Sequence, residues 1–104
     1  MAAGPMKMRA TLASGFTDVR VLMTHPMETG QRKDGDGKLV PMHFIQNVTV
    51  KINGRTVVDG QISQGVSRNP VFTFRVKGGN KGDKVEVSWL DNKGETNSTE
   101  AAAV

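Results

Sequence analysis

Two short strings hold the side chains best suited to chemistry. His25-Pro26-Met27 and Met42-His43 place two imidazoles and two thioethers at either end of one charged, glycine-containing segment. Imidazole nitrogen and thioether sulfur together suit copper ions, so a copper-binding reading takes His25, Met27, Met42 and His43 as ligands. The plainer reading makes Met8 and Met23 core filler and leaves each histidine hydrogen-bonded at the edge of a loop. The histidines, with a serine and an aspartate, would also supply residue types for nucleophilic catalysis, but no strand-to-helix elbow or matching spacing accompanies them. No catalytic residue, resident metal or cofactor is therefore assigned.

The remaining motifs fall away on spacing. Asp34-Gly-Asp-Gly37 begins like a calcium loop, yet counting from Asp34 puts Lys38 at the fifth position and Ile45 at the twelfth, where oxygen ligands are required. Gly78, Gly79 and Gly82 surround Lys81 without the spacing of a phosphate-binding loop and without a following helix. Asn47-Val-Thr49 and Asn97-Ser-Thr99 match the glycosylation triplet, but Asn47 falls in mid-strand, and no sugar is assigned. Phe72, Phe74 and Trp89 sit at strand spacing, which core packing explains without a nucleic-acid ligand.

Composition narrows the class further. The chain has 104 residues, enough for one domain with one modest core. Fourteen Lys and Arg against ten Asp and Glu give a net charge of +4, which favours anionic partners in general and identifies none. The absence of cysteine removes disulfides, zinc-thiolate sites and thiol chemistry from the chain itself. No apolar run approaches the length of a membrane span or of a secretion signal's core, so the expectation is a chain with no membrane contact and no export address of its own.

The elements that must position the candidate side chains read as strands. Alternation of apolar and polar residues predicts strands over Met6–Leu12, Asp18–Thr24, His43–Ile52, Arg55–Ile62, Val71–Val76 and Lys84–Leu90, with a polar edge strand over Glu95–Thr99. Asn53-Gly54 between two such runs marks a type I′ hairpin turn, because both central residues need positive φ. Glu28–Val40 reads as a long exposed loop, and Ala101–Val104 as a fraying tail. Seven short strands in about a hundred residues predict an all-β, immunoglobulin-like antiparallel β-sandwich, with a small barrel as the alternative.

Thr24-His-Pro-Met-Glu-Thr-Gly30, Arg32-Lys-Asp34 and Pro41-Met-His-Phe-Ile45 resemble the hallmark segment of the SoxZ family. The likeness continues through Asn53-Gly54, Asn69-Pro-Val-Phe-Thr-Phe74 and Gly82 to Trp89, about Met6 to Glu100 in all. It implies an immunoglobulin-like sandwich over residues 6–104 and a non-catalytic role beside SoxY, whose cysteine holds sulfur intermediates during thiosulfate oxidation. It also implies a heterodimer with SoxY, transient contact with other Sox enzymes, and a periplasmic location reached by export with SoxY. Residues 1–5 have no counterpart in the family pattern and read as an extension. His25, Pro26, Met27, Glu28, Arg32, His43 and Phe44 are the expected partner-binding residues, with Arg32, Lys33 and Lys38 expected to attract anions. Within the loop, Glu28 with Arg32 and Pro26 with Phe44 have a purely structural alternative: an internal ion pair, and pins against the sandwich edge. An unpaired edge strand could self-associate without SoxY.

Overall fold

A computed structural model of the protein describes residues 6–63 and 65–104, so the 1–5 extension lies outside the described residues. Seven strands appear in the expected order: β1 Lys7–Ala13, β2 Phe16–Leu22, β3 Ile45–Ile52, β4 Arg55–Gln61, β5 Val71–Lys77, β6 Lys84–Asp91 and β7 Thr96–Ala102. Every pairing is antiparallel. One sheet runs β1-β2-β5 and the other β4-β3-β6-β7, and there is no helix among the described residues. The sandwich expectation holds and the barrel is set aside.

Period-two burial explains the layers. Val19 and Val21 on β2, Val48, Val50 and Ile52 on β3, and Val85, Val87 and Trp89 on β6 all point inward. Each buried branched side chain contributes about 1.5–3 kcal/mol relative to exposure, and valine's stiff χ1 suits the pleated face. Asn53 and Gly54, at φ of 52° and 83°, form the tight turn their sequence promised. That two-residue turn forces β4 to lie beside β3, which gives a three-plus-four division of strands.

The expected fraying at the C-terminal end is corrected. β7 runs through Ala102, Ala103 is 1% exposed, and Val104 donates to the Ala10 carbonyl while accepting from the Leu12 N–H. Alanine side chains are small enough to let this segment pass close between the two sheet edges, so the tail closes the β1–β7 side of the sandwich. Among the described residues, β4 and β5 are left as the two uncovered edges.

Gly79 shows how tightly one corner is packed. Its φ is 115°, and a Cβ there would collide with the Thr17 hydroxyl, which is buried and donates to the Gly78 carbonyl at 2.8 Å. Gly82 has a comparable φ of 88° but open space around it. Gly79→Ala is expected to cost about 2–4 kcal/mol in urea unfolding, against about 1 kcal/mol for Gly82→Ala. Equal losses would show that backbone conformation alone, and not the Thr17 contact, dictates glycine at position 79.

Candidate functional site

The chain leaves β2 at Leu22 and is tied at once to the β4–β5 connection. Met23 N–H donates to the Pro70 carbonyl, His25 N–H to the Asn69 side-chain oxygen, and Asn69 N–H back to the His25 carbonyl. These bonds turn the His25 side chain inward, where it is 1% exposed. On the far side of the segment, Glu28 and His43 exchange a pair of backbone hydrogen bonds, 2.6 and 2.9 Å long. That isolated bridge explains why β3 begins at Ile45 and not at His43: residue 43 pairs with the loop instead of with the sheet.

Both imidazoles converge on Asp91, the last residue of β6. His25 Nε2 lies 3.0 Å and His43 Nε2 2.6 Å from the same carboxylate oxygen, Oδ2. Oδ1 accepts the backbone N–H groups of Lys93 and Glu95 at 3.0 and 2.8 Å, as an aspartate does when it opens a turn. A buried carboxylate thus collects four donors, while Trp89 packs edge-on against His25 at 5.0 Å between ring centroids. Burial alone would raise the Asp91 carboxyl. Hydrogen bonds from His25, Glu95 N–H, His43 and Lys93 N–H outweigh it, and the carboxyl is held below its ordinary value of 3.8. Burial lowers the His25 imidazole from 6.5, helped by neighbouring His43 and opposed by the Asp91 hydrogen bond.

The hydrogen bonding assigns the His25 tautomer. Met27 N–H donates to His25 Nδ1 at 3.0 Å, so that nitrogen carries a lone pair and the ring proton sits on Nε2, facing Asp91. Met27 achieves this with φ of 48°, a left-handed conformation that costs a bulky residue about 1–2 kcal/mol. The nearest ligand atoms of His25, His43 and Asp91 lie within 4.8 Å of one another, close enough to hold an ion. An ion on Nε2, however, would leave the ring proton on Nδ1, facing the Met27 N–H that now donates there. Met27 Sδ is engaged by the Ile45 N–H at 3.3 Å, and Met42 is 43% exposed. The residues fit a hydrogen-bonded network and not the copper centre considered above.

The expected partner-binding residues divide into two groups. His25, Met27 and His43 are buried, so the network, and not the surface, holds their side chains. Pro26, Glu28 and Phe44 are half-buried and Arg32 is exposed. Arg32 Nε donates to both Glu28 oxygens at 2.9 Å, the internal pair foreseen as the structural alternative. The Arg32 hydrogen bond lowers the Glu28 carboxyl against some desolvation, with the Arg32, Arg68 and His43 charges adding to the effect. Phe44 is pinned through its N–H to the Asn92 side chain, which in turn donates to the Met42 carbonyl. The long loop is itself ordered by a Lys33–Leu39 bridge and by Asp34, whose carboxylate accepts from Asp36 and Lys38 N–H.

Sequence reasoning missed Asp91, Asn92, Arg68 and Lys93. Asp91-Asn-Lys-Gly94 has the composition of a turn, and the feature that points to a second role is the place of Asp91 in the inward register of Val85, Val87 and Trp89 on β6. Above the network lies a cavity of about 610 Å³, whose lining includes Met27, Glu28, Arg32, His43, Arg68 and Lys93.

The family described as sulphur oxidation protein SoxZ matches residues 6–102. No curated protein is similar enough to count as a relative. Among solved structures, a superoxide reductase in the oxidised state aligns with a TM-score of 0.67 and 15% identity over 98% of this chain and 89% of its own. The hypothetical protein PH1083 from Pyrococcus horikoshii aligns at 0.65 and 16% over 96% and 88%. A neelaredoxin from Ignicoccus hospitalis aligns at 0.64 and 16% over 98% and 80%. These likenesses establish a shared fold.

Replacing Asp91 tests the network. Asp91→Ala leaves two ring N–H groups and two backbone N–H groups without their acceptor, and is expected to cost about 3–5 kcal/mol in urea unfolding. A loss below about 1 kcal/mol would show that water reaches these donors. The pH dependence has a definite sign. His25 binds its proton less readily folded than unfolded, so its contribution is complete above about pH 6.5 and declines as pH falls towards the folded value. Asp91 adds a second loss below about pH 4, because its folded carboxyl is the more acidic. The melting midpoint is therefore expected to drop between about pH 7.5 and pH 5; a flat profile there would contradict a neutral buried His25.

Proposed function

The chain belongs to the SoxZ family of sulphur oxidation proteins, and from that premise we propose that it is a non-catalytic subunit that pairs with SoxY. The pair forms a carrier that holds sulfur intermediates on a SoxY cysteine and presents them to Sox enzymes during thiosulfate oxidation. One observation carries this reading: a protein of sulphur oxidation that contains no cysteine at all. Covalent sulfur chemistry on a protein needs a thiolate, and here another chain must supply it.

The exposed flank of the 24–45 segment is the surface best suited to the partner. Its backbone is fixed by the Glu28–His43 bridge and the buried network, so little ordering entropy is lost on docking. Pro26, Glu28, Arg32 and Phe44 offer apolar and charged contact there, while His25, Met27 and His43 hold the platform from beneath. Arg32, Lys33 and Lys38 add positive charge that would speed encounter with acidic partners. The uncovered β4 and β5 edges give a route to self-association when SoxY is absent. The working compartment in this reading is the periplasm, reached together with SoxY.

Co-expression with the SoxY of the same genome, followed by co-purification and size exclusion, is expected to give a stable one-to-one complex. Exchanging the charges with Glu28→Lys and Arg32→Glu keeps the internal ion pair but inverts what the flank presents, and should weaken the complex about tenfold or more. Failure of the unaltered chain to bind its cognate SoxY would sink the carrier-subunit reading.

A further inference from the structure

The cavity above the histidine–aspartate network has a composition the partner reading leaves unexplained. Three cationic side chains reach it from three separate segments: Arg32 from the long loop, Arg68 from the β4–β5 connection, and Lys93 from the β6–β7 turn. The carboxylate in its lining is Glu28, and Arg32 already engages both Glu28 oxygens. The wall therefore sets three cations against a single carboxylate, which Arg32 binds directly and Arg68 feels through its charge. Positive charges brought together this way repel one another, and the fold fixes two of the three segments firmly. Arg68 precedes Asn69, which is bonded to His25 through side chain and backbone, and the Lys93 N–H is held by Asp91. Such repulsion is relieved when an anion enters.

The rest of the lining limits what the anion can be. Met27, Pro26, Val40 and Pro41 supply an apolar wall. A water molecule's share of liquid volume is about 30 Å³ and a tetrahedral oxyanion needs only a few times that, so about 610 Å³ leaves room for an attached stem. Oxidation of sulfur produces S–O groups that are anionic and tetrahedral at neutral pH. We propose that this cavity is a binding site for a sulfur oxyanion head group, with Arg68 and Lys93 as its principal cations and Arg32 as the third. The assignment of sulfur, and not phosphorus, chemistry rests on the sulphur oxidation reading above; the cavity's preference for an anion does not. Two sources share this chemistry: a free oxyanion such as thiosulfate, and an S-sulfonate carried on a cysteine of a partner's extended segment. The apolar wall and spare volume suit the carried form.

Titration of the isotopically labelled full chain with thiosulfate, followed by amide NMR shifts, tests the site. Saturable shifts at Arg32, Arg68 and Lys93 are expected, larger than those caused by chloride at equal ionic strength, and Arg68→Gln with Lys93→Gln should weaken binding about tenfold or more while the spectrum stays dispersed. Both side chains are exposed and neither belongs to the buried network, so the double variant is expected to fold. Shifts that match chloride, or that survive the double substitution, would overturn the proposal. A short peptide carrying S-sulfocysteine separates the sources: tighter binding than thiosulfate supports the carried form, and equal or weaker binding at the same residues supports the free ion. Co-purification of the double variant with SoxY keeps the two readings apart. A complex that forms while anion binding is lost assigns the cavity to the anion alone, whereas no complex from the unaltered chain, with anion binding intact, removes only the carrier-subunit reading.

Discussion

One buried carboxylate organises an entire end of this sandwich. Asp91 accepts hydrogen bonds from two imidazoles and two backbone N–H groups, and each donor belongs to a stretch of chain that would otherwise end freely. The exit from β2, the entry to β3 and the β6–β7 turn meet on its two oxygens. Placing a carboxylate in the interior costs several kcal/mol in lost hydration, and only a full complement of donors offsets that. The geometry is accordingly demanding: it specifies the His25 tautomer, draws Met27 into an unfavourable backbone conformation, and sets where the long loop departs and returns.

How far this was visible in the sequence depends on the range of the interaction. Asn53-Gly54 names its own turn because the φ requirement is local, and the strands of β2, β3 and β6 announce themselves because burial alternates residue by residue. His25 and His43 stand out in the sequence as candidate copper ligands and partner contacts flanking one loop, but the carboxylate they bond lies 66 and 48 residues further on. Register puts Asp91 on the inward side after Val85, Val87 and Trp89, but only the assembled fold brings it to its distant partners. The terminal alanines misled in the opposite way: a short, featureless tail reads as loose, yet smallness is what lets it lie between two sheet edges. Family resemblance selected the 24–45 segment, and the structure sorts that segment into side chains that build a platform and side chains that stand on it.

The same architecture serves proteins described as superoxide reductases at 15–16% identity, so the sandwich itself says little about activity. The chemistry-bearing side chains of this chain gather at one end of the sandwich. Buried there is a neutral imidazole next to an ionised carboxylate, with the ring's lone pair turned away from the pocket a metal would need. Above it are cations in excess. The lower layer is fixed by the four hydrogen bonds that Asp91 accepts; the upper layer sets three cations, Arg32, Arg68 and Lys93, against the one carboxylate of the cavity wall, Glu28.

The wide sequence separation of the network has a kinetic meaning. Residues 25, 43 and 91 cannot meet until β2, β3 and β6 are already aligned, so closing this triangle carries the chain entropy of two long loops at once. The hairpins can form early, on local contacts, while the histidines wait for the last long-range pairing. An interaction absent from the folding transition state speeds nothing on the way in and resists everything on the way out. A contact made that late weighs on the rate of unfolding more than on the rate of folding.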